Sequence, residues 1–573
     1  MNRNIISTFL IVISALGSIT VSAQGSKKLA FTGAARGIYF GDRLHQNESD
    51  SITVPRLNTG HVMVDLGMNI RPNKHTEIQG MVRVRNDYGG FWGSGVSFDV
   101  RQLYIKGVAG GIVRYQLGDI NDKLTAFTLQ NSNQEIQNES PEVFRQQTKL
   151  MNYDNFYSKD STWRQQGAAA NFALQFSKYL KEIQFHGLAT RVRTTDFSNV
   201  SDRLLTGYQV HVLQSKFFEF GLNASNVFDL EGTSRNPVQF RNPVHTITSS
   251  IKWNNSTLHV KLNSEFGRSQ YTYVGLQDAP ELTGKFITSK ANFILPTNHL
   301  EVNLGWKYVS SDFRSAGAQT KRINYNYQPS AFARFTNDQV PRTLTLMDLM
   351  REQNAYNRQL STSLMAFNPK YDNITPYGEA TPNRQGVTVE VKYTLLNKMI
   401  KLGAQQFMLQ ETRGEGTTLP RKFNRTMFLV DANLNVLRKD VNRLFHISAS
   451  FRKDQTKRAG EAEVPAVNLN TKVASVGIEF EIRNQWDVLF GFQQVQFDGF
   501  DFMSIRNNYT QIYNFQEWTA KGKEQMTSAG IRYRFSDKSS LSANYGVFKN
   551  TNDLDVPQNY SVNQFMLLYQ MNF

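Results

Sequence analysis

The chain has 573 residues, a formal net charge of +16 and no cysteine, which excludes disulfides, cysteine-ligated metals and a lipid-modified N-terminal cysteine. Charged residues make up 20% and aromatics 12%, with 40 Phe and 23 Tyr, mean hydropathy is −0.45, and past the N-terminus no stretch is long and apolar enough for a membrane-crossing helix. This composition fits a closed β-barrel, which satisfies its backbone between strands and needs only every second side chain to be apolar; a secreted soluble β-protein is the alternative.

The first element reads as an export signal. Arg3 supplies a positive start, Ile5 to Ile19 an apolar run, and Val21-Ser22-Ala23 the small residues of a cleavage site. At about 15 residues the run is too short to remain as a spanning helix. Residues 1–23 are therefore expected to be a cleaved signal peptide and 24–573 the barrel. An alternating segment, Leu29–Tyr39, begins almost at once, so no globular plug domain is expected before the barrel.

Period-two alternation then recurs. Leu300, Val302, Leu304, Trp306 and Tyr308 oppose Glu301, Asn303, Gly305 and Lys307; Val387–Leu395, Ala474–Ile482 and Ile531–Phe535 repeat the pattern. Several runs approach the ~9–11 residues that cross a bilayer at a tilt, longer than typical sandwich strands. Short connections, such as Pro72-Asn73-Lys74, Asn254-Asn255-Ser256, Asn397-Lys398, Arg438-Lys439-Asp440, Arg483-Asn484-Gln485 and Ser536-Asp537-Lys538, alternate with long polar ones. The long set includes Gly41–Arg56, Ile120–Gln165, Asp312–Arg384, Lys453–Asn468 and Asp498–Lys523. Short periplasmic turns and long external loops predict an all-β fold, a single antiparallel transmembrane barrel of about 22 strands (20–24), with both termini periplasmic. Arg322–Phe335 could add a hairpin.

Two insertions bear on the lumen. The first, 120–165, is rich in Asn and Gln and carries Phe127, Phe144, Tyr153 and Phe156. The second, 312–384, is long for a plain loop. Leu346, Leu349, Met350, Tyr356, Leu360 and Leu364 recur at near-helical spacing, predicting a helix over Thr345–Met365. Each insertion is either a constriction or plug inside the barrel or, for the second, a cap packed on its own loops outside.

With the apolar face of each strand toward lipid, the lumen face carries Arg83, Arg85, Lys261, Lys307, Lys392, Glu390, Glu479, Glu481, Arg532 and Arg534. The basic majority suggests a bias toward anionic solutes, against which mixed charge ladders between strands are ordinary barrel filling. Basic external segments such as Arg452–Arg458 suit lipopolysaccharide phosphates. The basic residues are dispersed and no nucleic-acid recognition motif appears. Nine scattered histidines form no HxH or HExxH spacing. No metal, cofactor or catalytic residue is expected; Glu479 and Glu481, although on one face, read as lumen lining.

The last strand ends in Phe565, Leu567, Tyr569, Met571 and Phe573 on one face. This resembles the C-terminal signature of outer-membrane barrels, which implies recognition by the barrel-assembly machinery through strand addition. Over its length, and at Gly118-Asp119 closing an early strand, the chain resembles porin-like barrels of the Bacteroidetes type. The resemblance implies an outer-membrane channel for passive passage of small polar solutes, in contact with outer-membrane lipid and lipopolysaccharide. Long aromatic loops equally suit a non-conducting scaffold or a component of a secretion or surface-assembly complex.

Overall fold

The computed structural model describes residues 29–46, 56–89, 95–132, 141–155, 163–277, 279, 281–297, 299–335, 340–395, 399–437, 443–461, 464–554 and 559–573. The expected signal peptide, the turns at Asn397-Lys398 and Arg438-Lys439-Asp440, and Phe156 lie outside these residues.

Twenty-two strands follow one another around a closed antiparallel barrel. The first nine are β1 (Leu29–Gln46), β2 (Arg56–Asn73), β3 (Thr76–Asp87), β4 (Val96–Ala109), β5 (Val113–Ile120), β6 (Gln165–Gln175), β7 (Glu182–Arg193), β8 (Arg203–Leu213) and β9 (Phe218–Asp229). Then come β10 (Gln239–Asn254), β11 (His259–Val274), β12 (Leu282–Leu295), β13 (Leu300–Val309), β14 (Arg384–Leu395), β15 (Ile400–Gln410) and β16 (Lys422–Asn433). The last six are β17 (Phe445–Arg458), β18 (Val467–Arg483), β19 (Trp486–Arg506), β20 (Ile512–Ser536), β21 (Ser539–Asn552) and β22 (Tyr560–Asn572). The barrel closes where β22 pairs with β1, from Ala34 opposite Asn572 to Gln46 opposite Tyr560. Gly33 and Phe573 exchange backbone hydrogen bonds of 2.9 and 3.0 Å just beyond that ladder.

Turn chemistry places the short connections at one end. Asn73 accepts from the His75 amide at 2.8 Å. Asn255 accepts from the amides of Thr257 and Leu258, the local bonding that makes Asn a turn former. Between β18 and β19 Gln485 takes a positive φ of 70°, and its amide donates to Glu481 at 2.7 Å.

Alternation divides the wall into two faces. Large apolar side chains stand outward and exposed, among them Phe98 at 71%, Tyr545 at 54%, Phe428 at 54% and Ile531 at 48%. So much apolar surface is stable only against hydrocarbon. The inward face is polar toward the short-turn end. Toward the long-loop end it turns apolar, with Val495, Phe497, Met526, Phe548 and Val562 all buried.

Three expectations are corrected. Asp498–Lys523 is not a loop: β19 and β20 are 21 and 25 residues long and continue through it, meeting at a short turn near Asn507. The helix over Thr345–Met365 shrinks to one turn, Leu346–Leu349, followed by a 3-10 turn at Gln353–Ala355. Asn and Ser in the remainder bond to backbone and divert it from a helix: Asn357 accepts from the Gln359 amide, and Ser361 donates to the Ser363 carbonyl. Arg322–Phe335 forms no barrel hairpin; Arg334–Phe335 pairs only with Val340–Pro341, and Ile323 bridges to Tyr356.

Candidate functional site

The lumen is occupied by the two insertions. The first contains helix α1 (Glu142–Asn155), which the sequence reading missed. Glu142 opens it, pairing with Arg145 and Lys149, an acid where the helix dipole favours one. Val143, Phe144, Gln147 and Met151 share a buried face at helical spacing. The face seats on two glycines placed directly opposite each other, Gly477 on β18 and Gly491 on β19. A Cβ on Gly491 would fall 2.4 Å from Val143 Cγ1, and one on Gly477 would fall 2.7 Å from Pro141 Cβ. The glycine pair is therefore a socket, and any side chain there displaces the helix.

Polar contacts fix the rest of α1. The Asn544 amide of β21 donates to Gln146 at 3.2 Å, and Gln147 donates to Gln564 of β22 at 3.1 Å. At the helix C-terminus, where an acid opposes the dipole, Asp154 meets Arg36 at 2.5 Å and Arg83 at 3.2 Å. Burial alone would raise its pKa, but these guanidiniums hold the Asp154 carboxyl below its ordinary value. Tyr153 donates to Asp65, which Arg83 grips with two bonds of 2.7 and 2.8 Å.

The second insertion, 310–383, is tied to inward residues around the wall. Thr345 caps the short helix α2 (Leu346–Leu349) in a capping box with Asp348, and Arg342 takes both oxygens of Asp348 at 2.6 and 2.7 Å. Glu524 of β20 is fully buried and holds two separate parts of the insertion. It accepts from the Leu346 amide at 2.7 Å, from Lys370 Nζ at 2.6 Å and from the Tyr371 hydroxyl at 2.8 Å. Arg351 pairs with Asp42 of β1 at 2.8 Å, Asp372 with Arg425 of β16 at 3.0 Å, and Asn373 donates to Asp501 of β19 at 2.9 Å. Lys307 of β13 pairs with Glu379 at 3.3 Å; its charge holds the Glu379 carboxyl down to about 2. Around these clamps Leu346, Met347, Leu349, Met350 and Tyr371 pack with the apolar inward residues of β18 to β22 and with Phe144 of α1 in one buried cluster.

A cavity of about 380 Å³ remains between the insertions and the wall of β1 to β3. Arg36, Arg85 and Arg351 line it together with Asp87, Asp154 and Glu352, so formal charges balance there.

The ten residues expected on the lumen face do not form a basic lining. Nine take part in ion pairs: Arg83 with Asp65, Arg85 with Asp87, Lys307 with Glu379, Lys392 with Glu390, Arg532 with Glu479, and Arg534 with Glu481. Asp487 takes a further bond from both Arg532 and Arg534. Lys261 alone of the ten has no ion pair among the described residues. Arg452 and Arg458, expected outside, are buried on the inward face; Arg452 donates to the Tyr371 carbonyl at 2.8 Å. Phe565, Leu567 and Tyr569 stand outward on β22, which is paired on both edges. Gly118 takes a positive φ of 94°, letting the Asp119 carboxylate accept from the Leu103 amide at 2.6 Å. Among the described residues no three His, Asp or Glu side chains converge as metal ligands.

No family model matches the chain, and no curated protein does. Solved barrels align over most of it at low identity. The outer membrane channel DcaP of Acinetobacter baumannii is 10% identical, with 96% of this chain and 100% of that chain covered and a TM-score of 0.28. OccK8 (OprE) of Pseudomonas aeruginosa is 8% identical over 96% and 100%, with a TM-score of 0.35. The translocation pore of the P pilus usher PapC is 8% identical over 94% and 99%, with a TM-score of 0.34. At these scores the likeness carries no argument, and it adds nothing to the Bacteroidetes resemblance.

Proposed function

We propose that the protein is an outer-membrane, porin-like channel for small polar solutes, with a lumen narrowed by its own two insertions. The observation that carries this reading is the mixed-charge cavity beside β1 to β3, the space of about 380 Å³ left between insertion and wall. A 22-stranded barrel has an interior far wider than its side chains can fill, so whatever passes is set by the insertions. The pairing of nine lumen charges supports weak charge selectivity in place of the anion bias suggested by net charge, since paired charges attract solutes little. The Bacteroidetes-type origin and recognition of the last strand by the assembly machinery belong to the same proposal.

Liposome swelling tests the solute class. Vesicles containing the refolded full chain should swell in small neutral sugars and amino acids, at similar rates for anionic and cationic solutes of one size, and should exclude oligosaccharides. Vesicles that stay inert to every solute would refute the channel and favour the non-conducting scaffold.

A further inference from the structure

Positive charge without an acidic partner gathers on the outside of the wall. Lys453 of β17, Lys472 of β18 and Lys523 of β20 stand outward, each beside an inward-facing buried neighbour, Asp454, Thr471 and Glu524. The ladder puts them in one row: Lys453 is opposite Lys472, Lys472 opposite Gln496, and Gln496 opposite Lys523. Lys453 comes two residues after Phe451, an exposed outward aromatic, so the row lies just past the apolar band toward the long loops. With Lys521 these lysines line a hollow of about 630 Å³ that also contains Asp498 and Asp553, four cations against two carboxylates. None of the four ammonium groups makes an ion pair or hydrogen bond with a described residue. Like charges directly opposite on neighbouring strands repel, so Lys453 facing Lys472 is unfavourable unless an anion lies between them.

We propose that this row binds the phosphate groups of an outer-leaflet glycolipid. The assignment rests on the outer-membrane reading above. Phosphate oxygens accept strong charge-assisted bonds from ammonium groups. Strands lie about 4.8 Å apart, so the row spans more than one phosphate, which suits a headgroup carrying two. The site's height fixes the ligand as a lipid: an anion there sits at headgroup level while its acyl chains cover the apolar band below.

Native mass spectrometry of the full chain in neutral detergent tests this. The probes are bisphosphorylated lipid A, the same lipid stripped of phosphate, and inorganic phosphate. The wild type should retain the bisphosphorylated lipid in preference to the stripped one. A Lys453→Gln, Lys472→Gln, Lys523→Gln variant should bind it at least about tenfold more weakly, while the corresponding triple Arg variant should retain it. Equal retention of both lipids, or undiminished binding by the Gln variant, would overturn the site. Displacement of the lipid by equimolar inorganic phosphate would overturn its assignment to a lipid. The swelling assay reads the lumen alone, so failure of the channel reading with lipid binding intact is distinguishable from failure here.

Discussion

Glu524 shows how much one side chain can hold. Its carboxylate, fully buried, gathers the Lys370 ammonium, the Tyr371 hydroxyl and the Leu346 amide, joining points 24 residues apart in the insertion. Replacing it with Ala leaves Lys370 buried beside aromatic rings with no counter-charge, a loss of about 3–5 kcal/mol in a setting of this kind. Glu524→Ala should therefore loosen the second insertion, read as faster protease cleavage within 310–383 in reconstituted protein, while Glu524→Gln should loosen it less. Cleavage rates equal to wild type would show that the apolar cluster alone seats the insertion. Glu524 was not legible in the sequence: it directly follows the stretch Asp498–Lys523 that reads as loop, and its partners lie in the second insertion, far away in the chain. Arg83, Lys307, Glu479 and Arg532 were legible as one face of their strands because alternation alone assigns a face. Their acid partners Asp65, Glu379 and Asp487 were not, since pairing depends on register and on segments far away in the chain.

At the level of elements, the glycine socket and α1 depend on each other. Neither was legible: Gly477 and Gly491 look like ordinary strand glycines until register places them face to face, and α1 has a mixed polar surface with Gln and Asn among its buried residues. A Leu at position 491 would meet Val143 and Phe144, and overpacking of this sort costs about 1–3 kcal/mol. The Gly491→Leu protein should keep its barrel but expel the helix. A Val143→Cys substitution, in a chain otherwise free of cysteine, would report this by reacting with an aqueous thiol reagent much faster in the Gly491→Leu background. Equal reactivity in both backgrounds would contradict the socket. The near-helical spacing after Thr345 misled for a related reason: its Leu and Met residues serve a three-dimensional cluster with the wall, not one stripe of a helix.

For the whole molecule, the barrel itself was the most legible feature. Alternating runs, turn residues and the unequal lengths of the two sets of connections led to about 22 strands, and 22 form the barrel. These signals are local, and period two survives even where exact boundaries shift. What fills the barrel was not legible, because the insertions fold against partners on strands hundreds of residues away, as when Arg342 meets Tyr560. In the proposed channel the second insertion limits passage through the lumen. Its ends lie together, with the Asn383 amide donating to the Ser310 carbonyl at 3.2 Å, so residues 313–381 can be replaced by a short flexible linker without prising β13 from β14. Single-channel recording in planar bilayers, comparing the full chain with this deletion, is the most direct measurement. The full chain should give small steps and the deletion conductance at least about threefold larger, as expected when a wide barrel loses its filling; identical conductance in the two proteins would show that the insertion does not limit passage.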